Sequence, residues 1–168
     1  MSQIMVKRAL YFLFFISTVS FSLPSDQDQV VKVSAGSADI NQQTHRGIYE
    51  NNVQLAQGTT HIESNLAITK SNDKNQLILA IIKGNRSKQA HYWVITEINK
   101  PPLHAYADTM KYYPQRHLVE LIGKARVEQG NNVFSAAKIS FNTKTHHIMS
   151  QSDGTQRTTL IFYPEKHS

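Results

Sequence analysis

Cysteine is absent from all 168 residues, which excludes a disulfide framework and leaves no thiol to carry a lipid anchor. Proline and glycine are sparse, at 5 and 7, and no Pro/Gly-rich linker divides the chain, so a single domain is expected. No GxSxG, HExxH, Walker or GxGxxG pattern occurs, which leaves an enzyme reading without positive support. Clustered charge is missing too. The 18 lysines and arginines against 12 acids give a formal charge of +6, but the basic residues are scattered singly. Mild basicity of that kind suits anionic partners and lacks the basic stripe of a nucleic-acid binder.

What the sequence does contain begins with an export signal. Lys7 and Arg8 precede an apolar run, Ala9–Val19, and Ser20-Phe21-Ser22 supplies small residues at a cleavage site. Positive, apolar, small, in that order, is a secretory signal peptide. The run is too short for a membrane span, which needs about 20 apolar residues. Cleavage after Ser22 is expected to leave 146 of the 168 residues, with a charge of +4 once Lys7 and Arg8 are gone. Residues 23–29 then form a flexible lead-in, 30–164 the folded domain and 165–168 a frayed tail.

The body of the chain repeats itself. Tyr49–Ile68 and Leu121–Phe141 superimpose when Gly58 is set on Gly130, pairing Leu55 with Val127, Gln57 with Gln129, Ile62 with Phe134 and Ser64 with Ala136. Each copy is an alternating run, a Gln-Gly corner and a second alternating run, which reads as strand, turn, strand. Elsewhere apolar residues also alternate, and turn residues recur every eight to twelve positions, so about ten or more strands are expected and no long helix.

The eight histidines show no paired-ligand spacing, and adjacent His146 and His147 would point to opposite faces of a strand. A surface role is expected, with no metal. Asp39 and Asp108 each follow an alanine and read as equivalent turn residues, because the matching slot holds Asn65 and Ala137. On the inward face, Ser64, Ala107 and Ala136 mark where the wall stays thin. Tyr49, Ile62, Tyr92, Val94, Met110, Leu121 and Phe134 supply bulk. Taken alone, this face fits an ordinary dry sandwich core.

Three segments carry a family resemblance: Val53–Asn65 (VQLAQGTTHIESN), Ala107–Gln129 (ADTMKYYPQRHLVELIGKARVEQ) and Arg157–Pro164 (RTTLIFYP). Their order and spacing resemble the LptA/OstA family, the periplasmic bridge proteins of lipopolysaccharide transport. Asn65 and Ala137 depart from the acidic residue common there, and Gly84–Gln89 from the usual turn.

The resemblance implies an all-β fold: a single twisted antiparallel β-jelly roll, open-edged and solenoid-like, with an internal hydrophobic groove. It implies a non-enzymatic carrier with no cofactor. Such a carrier holds the lipid A part of lipopolysaccharide and passes it from the inner-membrane transporter to the outer-membrane translocon. Carried over by position, the groove wall is Val33, Tyr49, Leu55, Ile62, Tyr92, Val94, Ala107, Met110, Leu121, Val127 and Phe134. Val31 and Val33 mark the edge facing the β-jelly-roll component of the inner-membrane complex. Thr158, Leu160 and Phe162 mark the edge facing the next copy, in a head-to-tail homo-oligomer, or the translocon's N-terminal domain. Nucleic acid is not an expected partner. An exported β-solenoid carbohydrate-binding module is the alternative, with Trp93 and Tyr113 as its outward aromatic candidates.

Overall fold

The computed structural model describes residues 29–163; the expected signal peptide, most of the lead-in and the tail lie outside them. Twelve strands follow one another: β1 (Lys32–Ser34), β2 (Ser37–Asn41), β3 (Arg46–Gln57), β4 (Thr60–Ser71), β5 (Leu77–Lys83), β6 (Ala90–Val94), β7 (Leu103–Ala107), β8 (Thr109–Tyr113), β9 (Leu118–Gln129), β10 (Asn132–Asn142), β11 (His147–Gln151) and β12 (Thr159–Ile161). Every pairing is antiparallel. The family's all-β architecture is therefore present.

Four long strands, β3, β4, β9 and β10, pass through a corner and serve two leaves. In the first leaf the order is β2, the front of β3, the rear of β4, β5, β8, the front of β9, the rear of β10 and β11. The second leaf runs β1, the rear of β3, the front of β4, β6, β7, the rear of β9, the front of β10 and β12.

The corner is made by bulges. Between Glu50 and Val53 the ladder skips Asn51 and Asn52 against Asn65 alone, and both asparagines have positive φ (65° and 54°). Seventy-two residues on, Gly123 and Lys124, at 81° and 47°, oppose Ala137 alone. A two-against-one bulge bends its strand and increases local twist, and asparagine and glycine tolerate the left-handed backbone it needs. The same offset relates the hairpins: Gly58 and Gly130 begin the two turns at φ 56° and 58°, the first central position where glycine suits a hairpin's mirror-image turn. The repeat seen in the sequence is thus a repeated bent hairpin.

At the corner the leaves converge and leave room only for small side chains. Ala90 faces Ala107 across β6 and β7, and Ala125 faces Ala136 across β9 and β10; all four are fully buried. Away from this line the spacing opens and larger residues fill it, with Met110, Leu121 and Ile139 in the same core cluster. Ala107 and Ala136 occupy the thin wall expected of them.

Two sequence expectations are corrected. Asp39 and Asp108 are not equivalent. Asp39 is exposed within β2, opposite Ile48, whereas Asp108 stands at the corner between β7 and β8. The counterpart of Asp108 at the 72-residue offset is Gly36, whose N–H donates to the Asn51 carbonyl at 2.7 Å. The second is at the termini: Val31, Thr158 and Phe162 flank the end strands, and among the five expected edge residues only Val33 and Leu160 lie within them.

Candidate functional site: an apolar cleft between the leaves

The two leaves enclose an apolar cavity of about 240 Å³. The second leaf supplies Ile62, Tyr92, Leu103, Ala105, Val127 and Phe134 to its wall. The first leaf supplies Ile82, Met110, Val119, Leu121, Ile139 and Ile148 among others. Lys111 is the single charged residue among those described on the wall. A smaller space of about 30 Å³ continues toward the N-terminal edge, lined by Val33, Tyr49, Val53 and Leu55, and shares Ile62, Ala80 and Ile82 with the main cavity. From β4 to β11 the path crosses five inter-strand steps of about 4.8 Å, roughly 24 Å in all.

Nine of the eleven expected groove residues lie on these walls: Val33, Tyr49, Leu55, Ile62, Tyr92, Met110, Leu121, Val127 and Phe134. Val94 and Ala107 do not. Both are fully buried, Val94 at the last pair of the β6–β7 ladder and Ala107 in the tight corner. Burial raises the pKa of Tyr49 and of Tyr112 beside the cleft. A site built this way offers dispersion and desolvation to an apolar ligand and almost no polar selectivity.

The outward face of the second leaf holds a feature missed in the sequence. His61, Trp93, His91, Tyr106 and His104 form one stack of rings across β4, β6 and β7. His61 and Trp93 lie 4.9 Å apart, Trp93 and His91 4.5 Å, His91 and Tyr106 4.3 Å, and His91 and His104 5.2 Å. Arg126 caps the Tyr106 ring at 4.9 Å. His91 Nε2 and His104 Nδ1 are 2.9 Å apart and share a hydrogen bond. Burial first, then the His104 charge, pushes the His91 pKa down. The sequence signal was a pair of outward ring residues on each of two strands, at 91 and 93 and at 104 and 106. It became readable only once β6 and β7 were paired. Among the described residues no group of three or more His, Asp or Glu side chains is arranged to hold a metal ion. Tyr113, the other outward aromatic candidate, carries Arg116 over its ring at 5.2 Å.

The fold and cleft together define the class as a two-leaved antiparallel β-jelly roll with an apolar cleft and open end strands. The family described as LptA/(LptD N-terminal domain) LPS transport protein matches residues 32–147, and the chain belongs to that family. It is 30% identical over 157 residues to the lipopolysaccharide export system protein LptH of Pseudomonas aeruginosa, covering 89% of this chain and 88% of the relative. The lipopolysaccharide export system protein LptA of Escherichia coli K12 is 23% identical over 151 residues, covering 89% of this chain and 80% of the relative. A crystal structure of Pseudomonas aeruginosa LptH, described as the LptA-homologous periplasmic component of the lipopolysaccharide transport device, superimposes with a TM-score of 0.71 at 25% identity. It covers 84% of this chain and all of that one. These relatives are transport proteins.

Proposed function

We propose that this chain is a periplasmic, non-enzymatic carrier. It binds the lipid A part of lipopolysaccharide in the cleft and passes it from the inner-membrane transporter to the outer-membrane translocon. The observation that carries the reading is the cleft wall, drawn from both leaves and apolar apart from Lys111. Each CH₂ of an acyl chain held there is withdrawn from water, worth about 0.8 kcal/mol, so crossing an aqueous compartment inside such a cleft removes the main barrier to transfer. The sugars remain outside. Among the described residues the end strands β1, β2, β11 and β12 each have one neighbour. Unpaired edges invite strand addition, which supports docking to the β-jelly-roll domains of both membrane complexes and head-to-tail association of copies. The carbohydrate-module alternative gains little from the outer ring stack. Its rings are stacked on one another and present edges, where sugar stacking needs open faces.

Photocrosslinking from position 92, in the purified mature chain with lipopolysaccharide, tests this reading, with position 138 as the outward control. Lys138 pairs with Glu120 on the outer face of the first leaf. A crosslink at 92 and none at 138 is expected, and Tyr92→Asp should weaken capture more than it weakens folding. Capture that survives the buried charge would place the ligand outside this cleft, and a folded protein with no crosslink at 92 would show a closed core; either outcome overturns the cleft as the binding site.

A further inference from the structure

The leaves converge at the corner, so the cleft opens where their strands end, between two lips. The first leaf's lip consists of residues 42–45, 72–76, 114–117 and 143–146, the links β2–β3, β4–β5, β8–β9 and β10–β11. The second leaf's lip consists of residues 58–59, 95–102 and 130–131, the links β3–β4, β6–β7 and β9–β10. Val30, before β1, and Tyr163, bonded through its N–H to Asn132 Oδ1 at 2.9 Å, stand at its two ends. The two lips differ in chemistry.

Apart from Pro114 the links of the first lip hold only polar residues. Asparagines close their turns: Asn41 Oδ1 accepts the Thr44 N–H at 2.9 Å, Asn72 Oδ1 the Gln76 N–H at 3.0 Å and Asn142 Oδ1 the Thr145 N–H at 2.9 Å. Turns capped by their own side chains need no apolar support. Lys74, Arg116 and Lys144 stand there against one acid, Asp73. None of the three cations makes an ion pair among the described residues, and Asp73 lies 3.7 Å from His45.

The links of the second lip carry one acid and one base, Glu97 and Lys100, paired with each other at 2.7 Å. Its apolar side chains are left in water: Val30, Ile98 and Tyr163 are 84%, 82% and 60% exposed. Ile98 lies within the loop that links β6 to β7 across the seam between the chain's two halves, and that loop is pinned. Gln129 Nε2 donates to the Thr96 hydroxyl at 2.9 Å and to the Pro101 carbonyl at 3.0 Å. The Ile95 N–H donates to Thr59 Oγ1 at 3.3 Å, and the Lys100 N–H to the Glu97 carbonyl at 3.1 Å. A loop held at these points keeps one isoleucine almost wholly in water, where turns favour polar residues. Leu103, at the foot of the same loop, lines the cavity.

We propose that Ile98 leads the lip over which acyl chains enter and leave the cleft, and that Lys74, Arg116 and Lys144 on the facing lip hold the anionic head of the same lipid. The assignment rests on the carrier reading and gives its ligand a direction across the mouth. A lipid with acyl tails and a phosphorylated head has one apolar and one anionic side, and the lips supply the matching pair. Exposed apolar side chains rimming a cleft mark contact with an apolar partner, and unpaired cations of one sign attract phosphate. The reverse orientation would lay acyl chains on the polar turns, burying their groups without replacing the hydrogen bonds made to water.

The test uses the mature chain with a photocrosslinker at position 98 or 144, irradiated with lipopolysaccharide and treated with alkali to cleave ester-linked acyl chains. Mass spectrometry is expected to find a fatty acyl group on position 98 and a phosphorylated sugar on position 144. Ile98→Asp changes an exposed side chain, so circular dichroism and thermal unfolding should match the parent. Capture at position 92 should slow about tenfold, the worth of one apolar side chain withdrawn from water. Lys74→Glu/Lys144→Glu should weaken capture and flatten its salt dependence. Lys124→Glu, exposed at the corner, should leave capture unchanged. Capture by Ile98→Asp at the parent's rate, or a phosphorylated sugar on 98 with an acyl group on 144, would overturn the assignment and leave the carrier standing. Equal weakening by Lys124→Glu would reduce the lysines to net charge and overturn their part in it. A folded parent with no crosslink at 92, 98 or 144 would overturn the carrier reading and the lips with it.

Discussion

Asp108 lies over Gly123 so closely that a Cβ built on the glycine would meet the Asp108 Oδ2 at 2.5 Å. The two are also tied through the backbone, the Asp108 N–H donating to the Gly123 carbonyl at 2.9 Å. Gln89 Nε2 adds a bond to Asp108 Oδ1 at 3.0 Å. This knot holds the corner where β7 ends and β8 begins, and it sets where the two leaves part.

Gly123→Ala should therefore be costly. Its φ of +81° is left-handed and disfavours a side chain by about 1 kcal/mol or more, and the displaced Asp108 adds to that. A loss of about 2–3 kcal/mol in urea unfolding is expected, with a smaller loss in the double variant Gly123→Ala/Asp108→Gly. Equal losses in both would show that the carboxylate is not the obstacle.

Ser64→Ala should go the other way. Ser64 holds the corner position that Ala136 holds in the second half, and its Oγ is buried with no hydrogen-bond partner among the described residues. Removing an unpaired buried hydroxyl is neutral or stabilising, by up to about 1 kcal/mol. Thermal unfolding decides it: a clear drop in midpoint would mean the hydroxyl has a partner that matters.

This repeat was legible in the sequence because the bent hairpin places identical constraints on both copies: glycine to open the turn, a small residue at the corner, bulk beyond it. The inward face followed from alternation, and so nine of eleven wall residues were placed on the cleft. Val94 and Ala107 obey the same alternation, but depth along the wedge between the leaves is not encoded in parity. The ring stack was hidden for a different reason. His61, His91 and His104 are thirty and thirteen residues apart, and only strand pairing brings their rings together. Asp39 and Asp108 were matched by a local dipeptide, while the true offset of 72 residues pairs Asp108 with Gly36.

Acid should loosen the seam that the stack covers. Burial and the neighbouring His104 lower the His91 pKa from 6.5, so the unfolded chain takes up a proton at a higher pH than the folded one. Stability is then greatest above pH 6.5 and falls as pH drops from there through the depressed folded value. Lys88 adds to the depression, while Glu63 and Glu128 oppose it. His91→Gln should flatten the slope of unfolding free energy between about pH 6.5 and 5. An unchanged slope would place the pH dependence in other groups.

Ala105 and Ala107 separate the cleft from the corner with one strand. They share a face two residues apart on β7, but Ala105 borders the cavity of about 240 Å³ and Ala107 sits in the fully buried alanine row opposite Ala90. A phenyl ring at 105 has space to enter, so Ala105→Phe should cost no more than about 1–3 kcal/mol while filling the room an acyl chain would need. Lipopolysaccharide capture from position 134 should be lost in a protein that still folds. At 107 the ring has nowhere to go, and Ala107→Phe should either fail to fold or lose more than about 3 kcal/mol. Should Ala105→Phe fold and still capture lipopolysaccharide as the parent does, the ligand would have to lie outside this cavity.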